Sequence, residues 1–404
     1  MKARFFTTAA LLSLAGAAFL FIILQAEFLL FGLNLEELSR ALYRPAFIVL
    51  APFRGFAMIF AGPFKGHFPL GQTVLLSLIV PAMLYGALWV LWRLWPGHRA
   101  RRLKAAPGTP SISRRGFLAA CGAAPMGGAG FYGVYVEPER LRIVEYTVPV
   151  RGLPAKLDGL RIAHVSDTHY GPFVTARYLE GVVAHMNALE PDMVLLTGDY
   201  VHKTPRSIHV GIGLLGGFRS RFGTLAVLGN HEHWEGAEAC RKRFHELGIQ
   251  VLDNRHCFLG ASGLRGAGVP GESLCLAGVE DLWDGQPSLE AALAGVDPAI
   301  PRLVLSHNPD FAESVNPGYR VDLMLAGHTH GGQVRLPVIG APGIPSRYGE
   351  KYAGGLCQGP WCPVIVSRGV GLAGLPIRLG VPPEAGLITL KAADPRAEAQ
   401  GSAG

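Results

Sequence analysis

Charged side chains are sparse: Asp, Glu, Lys and Arg make up 17% of the 404 residues, while hydrophobic residues make up 49%. With a mean hydropathy of +0.28, that balance exceeds what a purely soluble protein carries. Cysteine is also scarce. The six cysteines are few and show no Cys-x-x-Cys spacing, so neither a zinc ribbon nor a disulfide framework is indicated. Cys357 and Cys362 remain open between a disulfide and two free thiols. Acidic residues fall short of basic ones, 30 against 37, and basic clusters sit at the borders of apolar runs. That placement orients a chain in a membrane, so no nucleic-acid partner is expected. The length suits a large catalytic domain plus an attachment.

The apolar excess lies near the N-terminus. Phe5 to Gly32 and Gly71 to Trp95 are each long enough to span a bilayer, which takes about 20 residues. Trp89, Trp92 and Trp95 fit an interfacial belt at the end of the second run. Ala46 to Phe64 carries Arg54 and prolines around it, and reads as interfacial or re-entrant. Arg93 at the end of the second span and Arg99, Arg101, Arg102 and Lys104 just after it place that end in the cytoplasm together with Lys2 and Arg4. So few spans, without paired intramembrane charges, argue against a transporter.

Ser113-Arg114-Arg115-Gly116-Phe117-Leu118 precedes a mild Gly- and Ala-rich apolar run to about Val136. This resembles a twin-arginine export signal, with the twin-arginine translocase as a partner, although such signals usually open a chain. An Arg-flanked third span predicts the same topology. The expected organisation is therefore a transmembrane region over 1–104 and a linker with the third apolar segment over 105–136. A soluble domain over 137–392 and a disordered tail over 393–404 complete it. Three crossings give a multi-pass protein of the cytoplasmic membrane with its soluble domain on the extracytoplasmic side.

Within that domain, short apolar strands end repeatedly in metal-type donors. Leu160 to Ser166 delivers Asp167-Thr168-His169, and Asp192 to Thr197 delivers Gly198-Asp199. Thr224 to Leu228 delivers Gly229-Asn230-His231-Glu232, and Leu303 to Ser306 delivers His307-Asn308-Pro309. Val321 to Ala326 delivers Gly327-His328-Thr329-His330-Gly331-Gly332-Gln333. On an extended backbone, residues i and i+2 face the same way, so Asp167 with His169 and His328 with His330 are expected to project together. Neutral imidazole and carboxylate are common metal ligands, and strand-end loops carry sites in layered sheet folds. One such strand end means little; five in series point to a metal centre.

The order Asp-x-His, Gly-Asp, Gly-Asn-His-Glu, His and Gly-His-x-His resembles the calcineurin-like metallophosphoesterases over roughly residues 155 to 392. Ser306 to Pro309, Gly327 to Gln333 and Ser367 to Gly371 look most like a bacterial membrane-attached or twin-arginine-exported subgroup. The resemblance implies an α/β fold, a four-layer α-β-β-α sandwich of two mixed sheets, here behind an N-terminal transmembrane helical region. It implies two divalent metal ions, drawn from Mn, Fe, Zn or Co. Asp167, His169 and His330 would hold one and Asn230, His307 and His328 the other, with Asp199 bridging. His231 would be catalytic, binding the phosphoryl group or protonating the leaving oxygen. The implied reaction is hydrolysis of a phosphomonoester or phosphodiester by metal-bound hydroxide.

Membrane attachment favours a lipid-linked phosphate-ester substrate. One alternative is a pyrophosphatase acting on a lipid-linked or UDP-sugar lipid A precursor at the cytoplasmic face. Another is a non-catalytic metal-binding envelope scaffold, against which every motif position holds a competent donor. His164, His185, His209, His245 and His256 read as packing or surface residues, whereas His202 and His233 lie near the motif loops. Arg335, Arg347 and Arg368 sit in loops after the motifs as candidates for a phosphate, though none is assigned to substrate. Leu372, Leu375, Pro376 and Ile377 form an apolar turn suited either to a lipid chain or to the core.

Overall fold

The computed structural model describes residues 128–202 and 205–393. The apolar runs 5–32, 46–64 and 71–95, the arginine pair at 114–115 and the tail from 394 lie outside the described residues. Among the described residues no helix is long and apolar enough to cross a membrane. The chain divides into two units. In the first, residues 128–137 form helical turns, and Gly133 accepts a 2.8 Å hydrogen bond from the backbone of Arg378. The second contains both sheets and spans 138–374 and 380 onward.

Thirteen strands are described. They begin with β1 (Arg142–Val150), β2 (Arg161–Val165), β3 (Met193–Thr197), β4 (Thr224–Val227) and β5 (Gln250–Val251). Next come β6 (Arg255–Gly260), β7 (Gly263–Arg265), β8 (Leu274–Gly278) and β9 (Arg302–Leu305). Last are β10 (Leu323–Ala326), β11 (Gly355–Gln358), β12 (Pro363–Val366) and β13 (Glu384–Ala392). One sheet has the order β1-β13-β2-β3-β4-β5 and the other β11-β12-β10-β9-β8-β6-β7. Both are mixed. β2, β3 and β4 run parallel in the first, as do β8, β9, β10 and β12 in the second.

The two-residue period of a strand sorts the apolar side chains between two cores. In β10, Leu323 and Leu325 join Met193, Leu195, Leu225 and Val227 of the first sheet in the core between the sheets. Met324 and Ala326 point the other way, to Leu289, Phe311 and Tyr352 outside the second sheet. On the first sheet's side lie α1 (Ala176–Ala188), α2 (Arg206–Leu215), α3 (Asn230–Glu235) and α4 (Ala237–Glu246). Helix α1 starts where the Thr175 hydroxyl accepts a 2.8 Å bond from Tyr178 N–H, and it buries Leu179, Val182, Val183 and Met186. Those positions form one helical stripe.

Of the alternatives left open for Cys357 and Cys362, the structure has free thiols. Cys357 pairs across the β11–β12 ladder with Val364, and Cys362 is buried in the core outside the second sheet. Leu372 and Ile377 are buried, so they are packing residues rather than a lipid-facing turn.

His164, in the middle of β2, is fully buried, with Nε2 2.8 Å from the Thr197 hydroxyl. Burial pushes its imidazole down to about 4, against a smaller opposing pull from Asp167. The unfolded chain binds that proton near about pH 6.5, and the folded chain refuses it until much lower pH. Stability is therefore lost as pH falls through this window, by roughly 3 kcal/mol in total. Replacing His164 by Asn should flatten the dependence of urea-unfolding free energy on pH between neutrality and pH ~4. An unchanged slope would show that another group carries the proton.

Candidate metal centre

Because β2, β3 and β4 are parallel neighbours, their C-terminal loops leave the first sheet along one edge. β9 and β10 do the same in the second sheet. Backbone bonds tie these loops together: Asp167 N–H donates to Gly198 O at 2.9 Å, and Gly327 N–H to His307 O at 2.9 Å. Gly371 N–H donates to Asp167 O at 2.7 Å, adding the loop after β12. Glycine is required where the loops touch. A Cβ on Gly229 would collide with Asp199 Oδ1, and one on Gly327 with Asp167 Oδ2 and Ser166 Oγ.

The edge gathers all eight residues singled out in the sequence, and all are buried. In one cluster His169 Nε2 lies 2.9 Å from His330 Nε2, which is 3.2 Å from Asp167 Oδ1. In a second, His307 Nε2 lies 3.1 Å from His328 Nδ1, 3.2 Å from Asn230 Oδ1 and 3.3 Å from Asp199 Oδ1. The other oxygen of Asp199 turns to the first cluster, 3.5 Å from His169 Nε2. His231 stands beside both, with Nε2 3.9 Å from Asp199 Oδ2.

The expectation of an extended backbone fails here. Asp167, His169, Asp199, His328 and His330 have φ of 55°, 44°, 58°, 68° and 51°. The left-handed region costs a side-chain-bearing residue of order 1–3 kcal/mol. Under that constraint Asp167 and His169 still share a cluster, but His328 and His330 separate into different ones. Strand periodicity does not extend into the turn that follows a strand.

The electrostatics show what the pocket lacks. Among the described residues, the ion-pair partners of Asp167 and Asp199 are histidines, with no Lys or Arg. Burial raises the Asp167 carboxyl, but His330 outweighs it and holds the group below its ordinary value. Burial likewise raises Asp199, which His307 and His231 hold well below the usual range. Burial lowers His307, but Asp199 and its hydrogen bond raise it well above the ordinary imidazole value. His328, by contrast, is pushed down to about 3 by burial and by His307. Two desolvated carboxylates thus set a strong negative potential across the pocket, one that buried cations would offset.

The donor set fits divalent cations. His307 Nδ1 lies 2.7 Å from Thr197 O, an acceptor only, so that nitrogen carries a hydrogen and Nε2 is the atom that faces the second cluster. Each cluster combines neutral nitrogen with anionic oxygen, a mixture suited to Mn, Fe, Zn or Co.

Two residues given no role in the sequence reading complete the pocket. Glu232, at the third position of α3, accepts backbone N–H bonds from Gly229, Asp199, Tyr200 and Val201 at 2.8, 2.8, 2.7 and 3.2 Å. It clamps the loop after β3 to the start of α3; Glu three residues past a helix cap was the signal for it. Trp283 stands edge-on over His328 with ring centroids 4.1 Å apart, and no sequence pattern marks it. His202 does line the pocket, its Nδ1 3.3 Å from His231 Nδ1. His185, His209, His245 and His256 lie outside these clusters. Arg335 pairs with Glu350 and Arg368 with Glu384, and the backbone of Arg347 bonds Asp310.

Replacing Glu232 by Ala would leave four buried donors without that acceptor, at about 1–3 kcal/mol each. Chemical denaturation should show a loss of at least about 3 kcal/mol, with weaker metal retention. Wild-type stability in that variant would mean the clamp is dispensable.

Comparison with known proteins agrees with this geometry. A family model for calcineurin-like phosphoesterases matches residues 160–332. The uncharacterized metallophosphoesterase YkuE of Bacillus subtilis is 33% identical over 289 residues, 69% of this chain and 98% of that protein. The phosphodiesterase YaeI of Escherichia coli is 33% identical over 289 residues, 69% of this chain and 99% of its own. A transmembrane protein with metallophosphoesterase domain from Bos taurus is 32% identical over 266 residues, 64% of this chain and 58% of its own. The match along nearly the whole of both bacterial relatives decides the matter: this chain belongs to the calcineurin-like phosphoesterases.

Proposed function

We propose that this metallophosphoesterase is anchored in the cytoplasmic membrane and hydrolyses phosphate esters with two divalent metal ions. The observation that carries the reading is the pair of buried carboxylates whose only ionic partners among the described residues are imidazoles. Asp167, His169 and His330 would hold one ion and Asn230, His307 and His328 the other, with Asp199 between the two clusters. Divalent ions held there would supply Lewis-acid charge for a phosphoryl oxygen and a water nucleophile near neutral pH.

The chain's own residues orient and protonate. His307, held by Thr197 O, and Asp199, held by the backbone N–H of His231 at 3.0 Å, cannot rotate out of the site. His231 is the proton donor, delivering from Nε2 to the leaving oxygen. Burial lowers its pKa, which favours the neutral imidazole. An anionic ester entering the pocket favours its protonated form. A phosphodiester is the preferred class, because the Escherichia coli relative is named a phosphodiesterase. Anchoring by residues 5–32 and 71–95, with export through the arginine pair, would put the domain on the extracytoplasmic side; relatives named transmembrane proteins support the anchoring. A lipid-linked substrate follows from that position.

The test is metal content by mass spectrometry alongside hydrolysis of bis(p-nitrophenyl) phosphate by the full chain in detergent. Chelation should abolish turnover and Mn²⁺ should restore it, while Asp199→Asn should lose bound metal and activity together. An Asp199→Asn protein with full metal and full turnover would sink the assignment. His231→Ala should keep its metal and lose roughly 10²–10⁴-fold in turnover, the range for general acid catalysis. Unchanged turnover at unchanged metal content would remove His231 from the reaction.

A further inference from the structure

Six residues beyond His330 the chain makes a small hairpin. Leu336 and Gly340 exchange backbone hydrogen bonds of 2.9 and 3.0 Å, closing a turn over Pro337, Val338 and Ile339. Val338 is fully exposed and Ile339 is 69% exposed. Val338 also has φ of 69°, where a β-branched residue is strained. Two adjacent aliphatic side chains therefore stand in water on a backbone that disfavours one of them. Neither contributes to a core. The root of the hairpin, in contrast, is firmly seated. Gln333 exchanges bonds of 2.7 and 2.8 Å with the backbone of Ala373, and Gly332 packs so closely on Gly343 that a Cβ would lie 2.6 Å from its oxygen.

We propose that this tip, Val338 with Ile339, inserts into the headgroup layer of the bilayer that anchors the chain. The inference rests on the anchoring reading above. Three observations select lipid as the occupant. The chain ahead of the described residues holds two runs long enough to cross a bilayer, so the proposed anchor would itself tether the domain to lipid. Of the three cations in residues 335–351, Arg335 pairs with Glu350 and Lys351 with Glu313, which leaves the Arg347 side chain, outside any salt bridge among the described residues, to meet anionic phospholipid. Tyr348, 45% exposed, has the amphipathic ring favoured at such interfaces. Two side chains are also far too little for a stable protein interface, which buries at least about 1,200 Å². For a chain already tethered they suffice as a second contact, because tethering makes the contact intramolecular. With its root beside His330, an inserted tip would hold the metal centre at headgroup level, where a phosphodiester on a lipid is presented.

The test uses the full chain in nanodiscs of phosphatidylcholine and phosphatidylglycerol. An NBD label is placed at Val338→Cys or, as a control, at the exposed Glu272→Cys, with Cys121 and Cys357 replaced by Ser. The label at 338 should emit to the blue of the control, lose emission when doxyl-labelled lipid is included, and resist aqueous iodide. A label at 338 that matches the control overturns the insertion. So does a blue shift that doxyl lipid fails to quench, which would mean the tip sits against protein, either a second copy or the chain's own N-terminal region. Flotation with vesicles of the same lipids reads the anchoring separately. A chain that fails to float removes the anchoring reading and the tip's occupant with it, whereas a floating chain with a wet tip removes only the tip.

Discussion

The structure is governed by the burial of two carboxylates. Asp167 and Asp199 are 0% and 3% exposed and lie at the ends of adjacent parallel strands. No Lys or Arg pairs with them among the described residues. A buried anion is tolerated only when it is paired and hydrogen-bonded. Backbone N–H groups supply part of this: His328 N donates to Asp167 at 3.0 Å and His231 N to Asp199 at 3.0 Å. The imidazoles supply polarity without a fixed charge. What remains is a demand for cations, which is the chemical character of the site.

The two sheets are the means of meeting that demand. Their C-terminal edges bring loops from both into one place, and the bond from His307 Nδ1 to Thr197 O crosses from one sheet to the other. Five donor-bearing or bridging residues are held at positive φ, a strain that only an over-determined surrounding can maintain. Glu232 provides much of that determination by gathering four N–H groups from two loops. Because the clustered donors come from both sheets, packing of the sheets is what brings them together.

Much of the fold and the site was legible along the chain. Short apolar runs ending in Asp, Asn and His marked the strands, and the donors at their ends are the ones that converge. The reading weakened where strand periodicity was carried into turns. Periodicity alone put His328 and His330 side by side, whereas the family resemblance gave them to different ions, and the left-handed backbone at both sends them to different clusters. Surface character was also hard to read. Leu372 and Ile377 are buried, while Val338 and Ile339 stand in water, and short aliphatic stretches in Gly- and Pro-rich loops show neither outcome in advance.

The sequence alone determined the inventory of the centre: which donors exist, in what order, and on the ends of which strands. That follows from local chemistry, since strand length, turn residues and side-chain type are properties of neighbouring positions. Only the tertiary structure decided which imidazole faces which carboxylate. His169 meets His330 across 161 positions, and His307 reaches Thr197 across 110. Contacts over such distances depend on strand order and on the packing of one sheet against the other, which no local pattern encodes.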